Sequence, residues 1–377
     1  MILAPIHLGL LKGGNKGMNR VIAALLCSAG MLASQTVSSS VRGVVVDPTG
    51  GAVPGAACGL ASKTTGSIVT VNSDSQGNCV FPNVLPGTYN VTVKSGGFKN
   101  LEAKDIVVSA NENRSIGRLQ LEIGGTTETI TVAAEVAHIQ LASAEKSGTI
   151  TTSQLQNIAV KGRDFFALLN TVPGVVDNFS QARETASPDS IRGTFINGGR
   201  ENQKNLAIDG ITDLDTGSNS TVHFQPNMDA ISEIKILTSN YQAEFGRNGG
   251  GVITVITKSG SRDFHGTGYW NYRHESLNAN SFFNNRNGTK KNPYRYRING
   301  FSVGGPVYIP GKFNTNREKL FFFVSQEYVG MKRDYGERYT TMPTAAERAG
   351  NFSESRDGNG NLITVRDPDT NAPFPGT

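Results

Sequence analysis

Cysteine is scarce in this chain, with three among 377 residues, at positions 27, 58 and 79. Neither Cys58 nor Cys79 has a second cysteine or a histidine at ligand spacing, which excludes a zinc site built on them. Histidine is scarce too, at five. His274-Glu275 begins like a zinc-protease motif, but Asn278 stands where the second histidine is needed. No run of about 20 apolar residues exists, so no helix is expected to span a membrane. The nearest is "VIAALLCSAGMLA" after Met18-Asn19-Arg20, which reads as an export signal over residues 1–35, starting at Met1 or Met18 and cleaved between Ala33 and Ser40. Charged residues make up only 18%, and the 36 basic against 31 acidic groups give +5, a mild excess that calls for no polyanionic partner. The basic, tyrosine-bearing stretch "RNGTKKNPYRYR" reads as a solvated loop running into an interfacial aromatic position, not as a nucleic-acid site. No G-x-S-x-G elbow, phosphate loop or metal-ligand cluster is present, so neither an enzyme nor a cofactor or metal protein is expected.

Glycine, at 44, and turn residues between short apolar runs point to strands joined by turns. From residue 41 to 123, "VRGVVVD" is followed by "PTGGAVPG", "SIVTVNSD" by "SQGN", and "VFPNVLPG" by "TYNVTVKSGGF", in which Tyr89, Val91 and Val93 share one face. Strands this short and close predict a β-sandwich. Cys58 and Cys79 lie on neighbouring strands of it, either paired as a disulfide or left as buried thiols.

Residues 124–140 read as a linker around one extended segment, Glu128, Thr129, Ile130, Thr131 and Val132. It is either the last strand of the sandwich or a peptide that adds to the edge of a partner's sheet. Residues 141–261 predict a small α+β domain. An N-cap is expected at Thr152 or Ser153, followed by two short helices split around Lys161-Gly162, then by strands at "IRGTFING", "NLAIDGI" and "SEIKILTS". Gly249, Gly250 and Gly251 precede six β-branched residues, Val252 to Thr257. Such residues make poor helix and good buried strand, and the Lys-Ser/Thr that closes a phosphate loop is missing, so these glycines are not expected to hold phosphate. The loop "DLDTGSNS" begins like a calcium loop, but its glycine comes one position early and Phe224 replaces the closing glutamate.

From residue 262 to 377 the strands lengthen. In "RDFHGTGYWNYRH", Phe264, Trp270 and Tyr272 fall on one face, and Asp263, His265, Thr267, Asn271 and Arg273 on the other. Apolar-out, polar-in alternation predicts membrane-barrel strands, with a soluble sandwich giving the same pattern. A phase slip between Ile298 and Phe301 predicts a bulge near Gly300.

Several of these stretches resemble known families. "GVVVDPTGGAVPGA…DSQGNCVFPNVLPGTYNVTVKSGGFK" resembles the carboxypeptidase regulatory-like domain, a transthyretin-like sandwich. "LQNIAVKGRDFFALLNTVPGV", "INGGRENQKNLAIDGI" and "MDAISEIKILTSNYQAEFGRNGGGVITVITKSG" resemble the plug of TonB-dependent outer-membrane receptors, the Oar-like branch in particular. "DFHGTGYWNYRHESLNANSFFNN…NGFSVGGPV…KLFFFVSQEY" resembles their first barrel strands. The fold expected is mainly β: a sandwich, an α+β plug, and the first strands of an incomplete transmembrane barrel. The resemblance implies a transporter in the outer membrane with its N-terminal domain in the periplasm, energised by TonB and its inner-membrane complex. It makes residues 128–132 a TonB box, gives Gly249 to Gly251 a tight turn before the last plug strand, and turns Asn197, Arg200, Asn202, Asp213, Asp215 and His223 towards a solute. Iron chelates, cobalamin-like cofactors, oligosaccharides and peptides all suit such a receptor. A plugged barrel uses about 22 strands, so three or so here read as an N-terminal fragment. The alternative is an adhesive surface protein with the sandwich as contact module and the barrel as anchor.

Overall fold

The computed structural model describes residues 39–125, 129–133, 143–178, 188–333, 340 and 342–374. The export signal expected at 1–35, Glu128, and residues 134–140 of the linker lie outside them. Two compact units divide the chain, one of residues 1–270 and 299–328, the other of 271–298 and 329–377.

In the first unit, alternating apolar residues build a sandwich. One sheet orders β4 (Asn78–Val84), β1 (Ser39–Val46) and β7 (Asn113–Gln120). The other orders β3 (Ile68–Asn72), β2 (Ala57–Ser62), β5 (Gly87–Lys94), β6 (Asn100–Val108) and β8 (Thr129–Ala133). Val41, Val45 and Phe81 from one sheet and Leu60, Val91, Val93 and Ile106 from the other form the core between them. Cys58 on β2 and Cys79 on β4 are joined by a disulfide that ties the two sheets, their Cα atoms 6.5 Å apart. The turn before β4 is closed by Asp74, whose Oδ1 accepts the N–H groups of Gln76 and Asn78, each at 2.8 Å.

The next domain is built on a five-stranded sheet, ordered β13 (Ile211–Thr212), β12 (Lys204–Ile208), β15 (Gly251–Thr257), β14 (Ile231–Ser239) and β9 (Lys146–Thr151). The β-branched run occupies β15, the middle strand, where almost every residue is buried. Parallel to β12 and antiparallel to β14, it has both backbone edges paired. Helix α1 (Thr152–Asn157) is capped by Thr151, one residue before the expected positions. The Thr151 side chain accepts from the Gln154 N–H, and Gln154 Oε1 accepts the Thr151 N–H at 2.9 Å. This reciprocal capping box needs Gln at the third helical position, which only a cap at Thr151 supplies. The second expected helix is a 3-10 segment, Phe165–Thr171, which buries Phe165, Phe166, Leu168 and Leu169 against Ile150, Ile234 and Val255. A short strand pair, β10 (Val175–Asp177) with β11 (Thr194–Ile196), lies beside it in the chain.

A last sheet orders β16 (His265–His274), β17 (Tyr294–Pro306) and β18 (Phe321–Arg333). β17 runs without interruption through Gly300, with Tyr296, Ile298 and Ser302 inward and Arg297, Phe301 and Val303 outward. With Ile298 on the inner face and Phe301 on the outer, the alternation keeps one phase through Gly300, and the phase slip behind the expected bulge is not seen. Among the described residues, no helix is long and apolar enough to cross a membrane.

Candidate functional site

The segment Thr129–Ala133 forms strand β8 at the edge of a sandwich sheet, parallel to β6, with Leu101 opposite Ile130 and Glu102 opposite Thr131. Thr129 and Thr131 are exposed and Ile130 is half-buried. Four consecutive β-branched residues favour the extended form, and among the described residues this edge strand has one row of N–H and C=O groups open. Val132 continues this strand, and Glu128 lies outside the described residues.

The glycine run is explained by close backbone approach. A Cβ on Gly250 would run into the Gln203 carbonyl, and Gly250 donates its N–H to that same oxygen at 2.8 Å. Gly251 has a φ of 156°, and a Cβ there would press on Ile196 and the Leu237 carbonyl. Gly249 faces open space. Asn248 completes the lock, donating from Nδ2 to the Lys204 carbonyl at 3.0 Å and to Asn205 Oδ1 at 2.8 Å. The run therefore clamps the start of β15 to the turn leading into β12.

Of the side chains expected to face a solute, Asn197, Arg200, Asn202 and His223 are exposed. Two of their loops meet at Asn219, whose Nδ2 donates to the Asn202 carbonyl at 2.6 Å. Asn197 sits at a φ of 49° and spends its amide on the Thr238 carbonyl. Asp215 accepts from Ser218 N–H at 2.6 Å and Ser218 Oγ at 2.7 Å, closing its own turn. Asp213 must be corrected: it is buried at 8% exposure and faces inward. Its Oδ1 accepts the Phe224 N–H at 3.0 Å, and its Oδ2 is buried with no hydrogen-bond partner. Burial pushes its carboxyl up to about 6 against that stabilising N–H. Among the described residues, no group of three His, Cys, Asp or Glu side chains is gathered as for a metal ion.

Sequence reasoning missed the contacts that join the plug to its flanks. Arg163 forms an ion pair with Asp229, lies 3.6 Å from the Glu327 carboxylate, and stacks over the Tyr269 ring. Tyr269 in turn donates its hydroxyl to Glu327 at 2.8 Å. Asn227 adds a bond to Ser325 Oγ at 2.9 Å. Towards the sandwich, Lys235 on β14 pairs with Glu145 at 2.8 Å, both nearly fully buried, and donates to the Asn111 carbonyl at 3.1 Å. Glu233 accepts the Ala110 N–H at 2.6 Å, and burial raises its carboxyl above the usual range. The only sequence signal was a charged residue inside an otherwise apolar strand, as in "SEIKILTS".

The chain matches the carboxypeptidase regulatory-like domain over residues 40–122, the TonB-dependent receptor plug domain over 141–253, and an outer membrane beta barrel domain over 256–377. It is 26% identical over 328 residues to the TonB-dependent transporter Oar of Myxococcus xanthus, covering 81% of this chain and 28% of that protein. The chain thus spans little more than a quarter of the length of this curated relative. Among solved structures it is similar to the siderophore receptor PirA from Acinetobacter baumannii, with 19% identity over 48% of this chain and 24% of that one and a TM-score of 0.34. It is also similar to a mutant of the ferric enterobactin receptor PfeA from Pseudomonas aeruginosa, with 17% identity over 50% and 25% and a TM-score of 0.33. Plug and barrel domains together indicate an outer-membrane location. With a regulatory-like sandwich, a plug and a barrel domain in that order, the chain belongs to the TonB-dependent outer-membrane receptors, in their Oar-like branch.

Proposed function

We propose that this receptor captures a solute at the outer face and admits it to the periplasm when TonB pulls on residues 128–132. The N-terminal sandwich then lies in the periplasm, within reach of TonB and its inner-membrane complex. One observation supports the coupling role above others: Thr129–Ala133 is already an extended edge strand, docked on β6 by a parallel ladder. A partner strand can join its open edge, or take it from β6, with backbone hydrogen bonds giving affinity and alternate side chains giving specificity. The same pairing gives the sandwich a task, namely holding the coupling strand in a defined place and conformation. Arg200, Asn202 and His223 are the plug residues proposed to meet the solute, since they are exposed on loops that Asn219 ties together.

The test is Ile130→Pro. Proline removes a backbone donor from the strand and fixes φ near −65°, far from an extended strand. Energised uptake should be lost while solute binding to cells stays unchanged. Uptake that survives the substitution rules out residues 128–132 as the coupling segment, and the lack of any TonB-dependent uptake turns the reading towards the adhesive alternative.

A further inference from the structure

The wall strands β16, β17 and β18 carry a second feature, on the face turned away from the plug. The inner face is identified by Thr267 with Ser302, Tyr269 with Glu327, and Ser325 with Asn227. By alternation, the outer face carries Phe264 and Trp270 on β16, Phe301 and Val303 on β17, and Val324 and Tyr328 on β18, all exposed. Followed along each strand, this apolar face changes character. β16 continues to Tyr272, β17 begins with Arg295 and Arg297, and β18 continues past Gly330 to Lys332.

These residues surround a groove of about 310 Å³ lined by Tyr272, Arg295, Arg297, Gly330, Met331 and Lys332. Gly330 makes the room: a Cβ there would stand 2.8 Å from Arg297 Nε. Arg295 is already neutralised by Glu275 at 3.2 Å. Among the described residues, Arg297 and Lys332 have no acidic partner.

A cation on the lipid face of a barrel is destabilising by about 2–4 kcal/mol at the bilayer midplane and by about 0–1 near the interface. Arg297 and Lys332 therefore mark where hydrocarbon ends, and Tyr272 and Tyr328 stand where an interfacial aromatic girdle belongs. At that depth the group facing them is a lipid headgroup. A guanidinium beside an ammonium across a glycine gap suits a phosphate that carries net negative charge, bound by two N–H donors of the arginine and the point charge of the lysine. A solute passing through the lumen does not reach this face.

We propose that Arg297 and Lys332, with Tyr272 and the gap at Gly330, bind the phosphate of an anionic lipid headgroup at the edge of the lipid-facing wall. The proposal rests on the outer-membrane location, and the test separates the two. The receptor is first localised by membrane fractionation, then extracted and titrated with phosphatidylglycerol, with phosphatidylcholine as the zwitterionic control, and bound lipid is counted by native mass spectrometry. Phosphatidylglycerol should bind in preference. Arg297→Ala and Lys332→Ala should each weaken it about fivefold, from roughly 1 kcal/mol per basic residue at an anionic surface. Arg297→Lys and Lys332→Arg keep the charge and should retain most of the binding, which separates the site from a folding defect. Equal binding of the two lipids, unchanged binding in both alanine variants, or displacement by millimolar inorganic phosphate overturns the site, the last by making it a free-anion site. Absence from the outer-membrane fraction overturns the location and the site together.

Discussion

The Arg163 guanidinium lies over the Tyr269 ring, 4.3 Å from its centroid, and so joins the start of the plug to the first wall strand. It also compensates Asp229 and Glu327, each only 14% exposed. Arg163→Ala leaves Glu327 without its cation and Asp229 with only the charge of Lys258 nearby. Full burial makes such a loss worth about 3–5 kcal/mol, and with Arg163 itself 23% exposed we expect roughly 2 kcal/mol. Arg163→Lys restores the charge but not the planar stacking, and should fall between. Urea-dependent proteolysis of the plug measures the loss, and a double-mutant cycle with Glu327→Gln should show coupling. Additive effects would mean that Arg163 and Glu327 do not act as a pair.

Neighbouring glycines are expected to differ sharply. Gly250→Ala drives a methyl into the Gln203 carbonyl, which the Gly250 N–H also needs, so backbone must shift. We expect a loss of about 2–4 kcal/mol, in the tail of point-mutant effects. Gly249→Ala meets nothing within 4 Å and should stay within about 0.5 kcal/mol. Equal melting shifts for the two would remove close packing as the reason for the run.

What could be read in advance follows from the range of the forces involved. The strand at Val252–Thr257 was legible because six β-branched side chains oppose helix locally and suit a strand buried on both faces. The outward Phe264, Trp270 and Tyr272 were legible from period-two alternation alone. Asp213 was not, because "DLDTGSNS" reads as a polar loop, and its burial is decided by Leu214 and Val222, which form an isolated bridge and join the core. Arg163 with Glu327 was equally out of reach, since 164 residues separate partners that only the tertiary fold brings together. The helix cap was missed by one residue because Thr151, Thr152 and Ser153 are all competent caps, and the choice depends on Gln154.

The ladder between β6 and β8 makes a prediction about TonB. If TonB takes residues 128–132 as proposed, and the docked strand must leave β6 to be taken, docking lowers the competent fraction and weakens apparent affinity in proportion. Deleting residues 39–123 removes β6 and should tighten binding of the TonB periplasmic domain about tenfold, for a five-residue ladder worth roughly 1–2 kcal/mol. Calorimetric titration of both forms gives the ratio. Equal affinities would show that TonB joins the open edge of β8 and leaves the ladder in place.

Asp213 predicts a pH dependence whose sign follows from burial. Its folded carboxyl titrates at about 6, against 3.8 when solvated, so between these values the folded state holds a proton that the unfolded state has lost. Below 3.8 both states are protonated and Asp213 has no effect. As pH rises towards 6 the folded state is progressively destabilised, and above 6 the penalty is constant. A shift of this size corresponds to about 3 kcal/mol, which access of water to the surrounding loop reduces to roughly 1 kcal/mol. Asp213→Asn keeps an acceptor for the Phe224 N–H and removes the charge. It should raise stability by about that amount at pH 7.5, leave it unchanged at pH 3.5, and remove this part of the slope between pH 4 and 6. Denaturant midpoints of both proteins across that range provide the measurement. A stabilisation that is the same at pH 3.5 and 7.5 would assign the effect to packing, with the buried carboxylate carrying none of it.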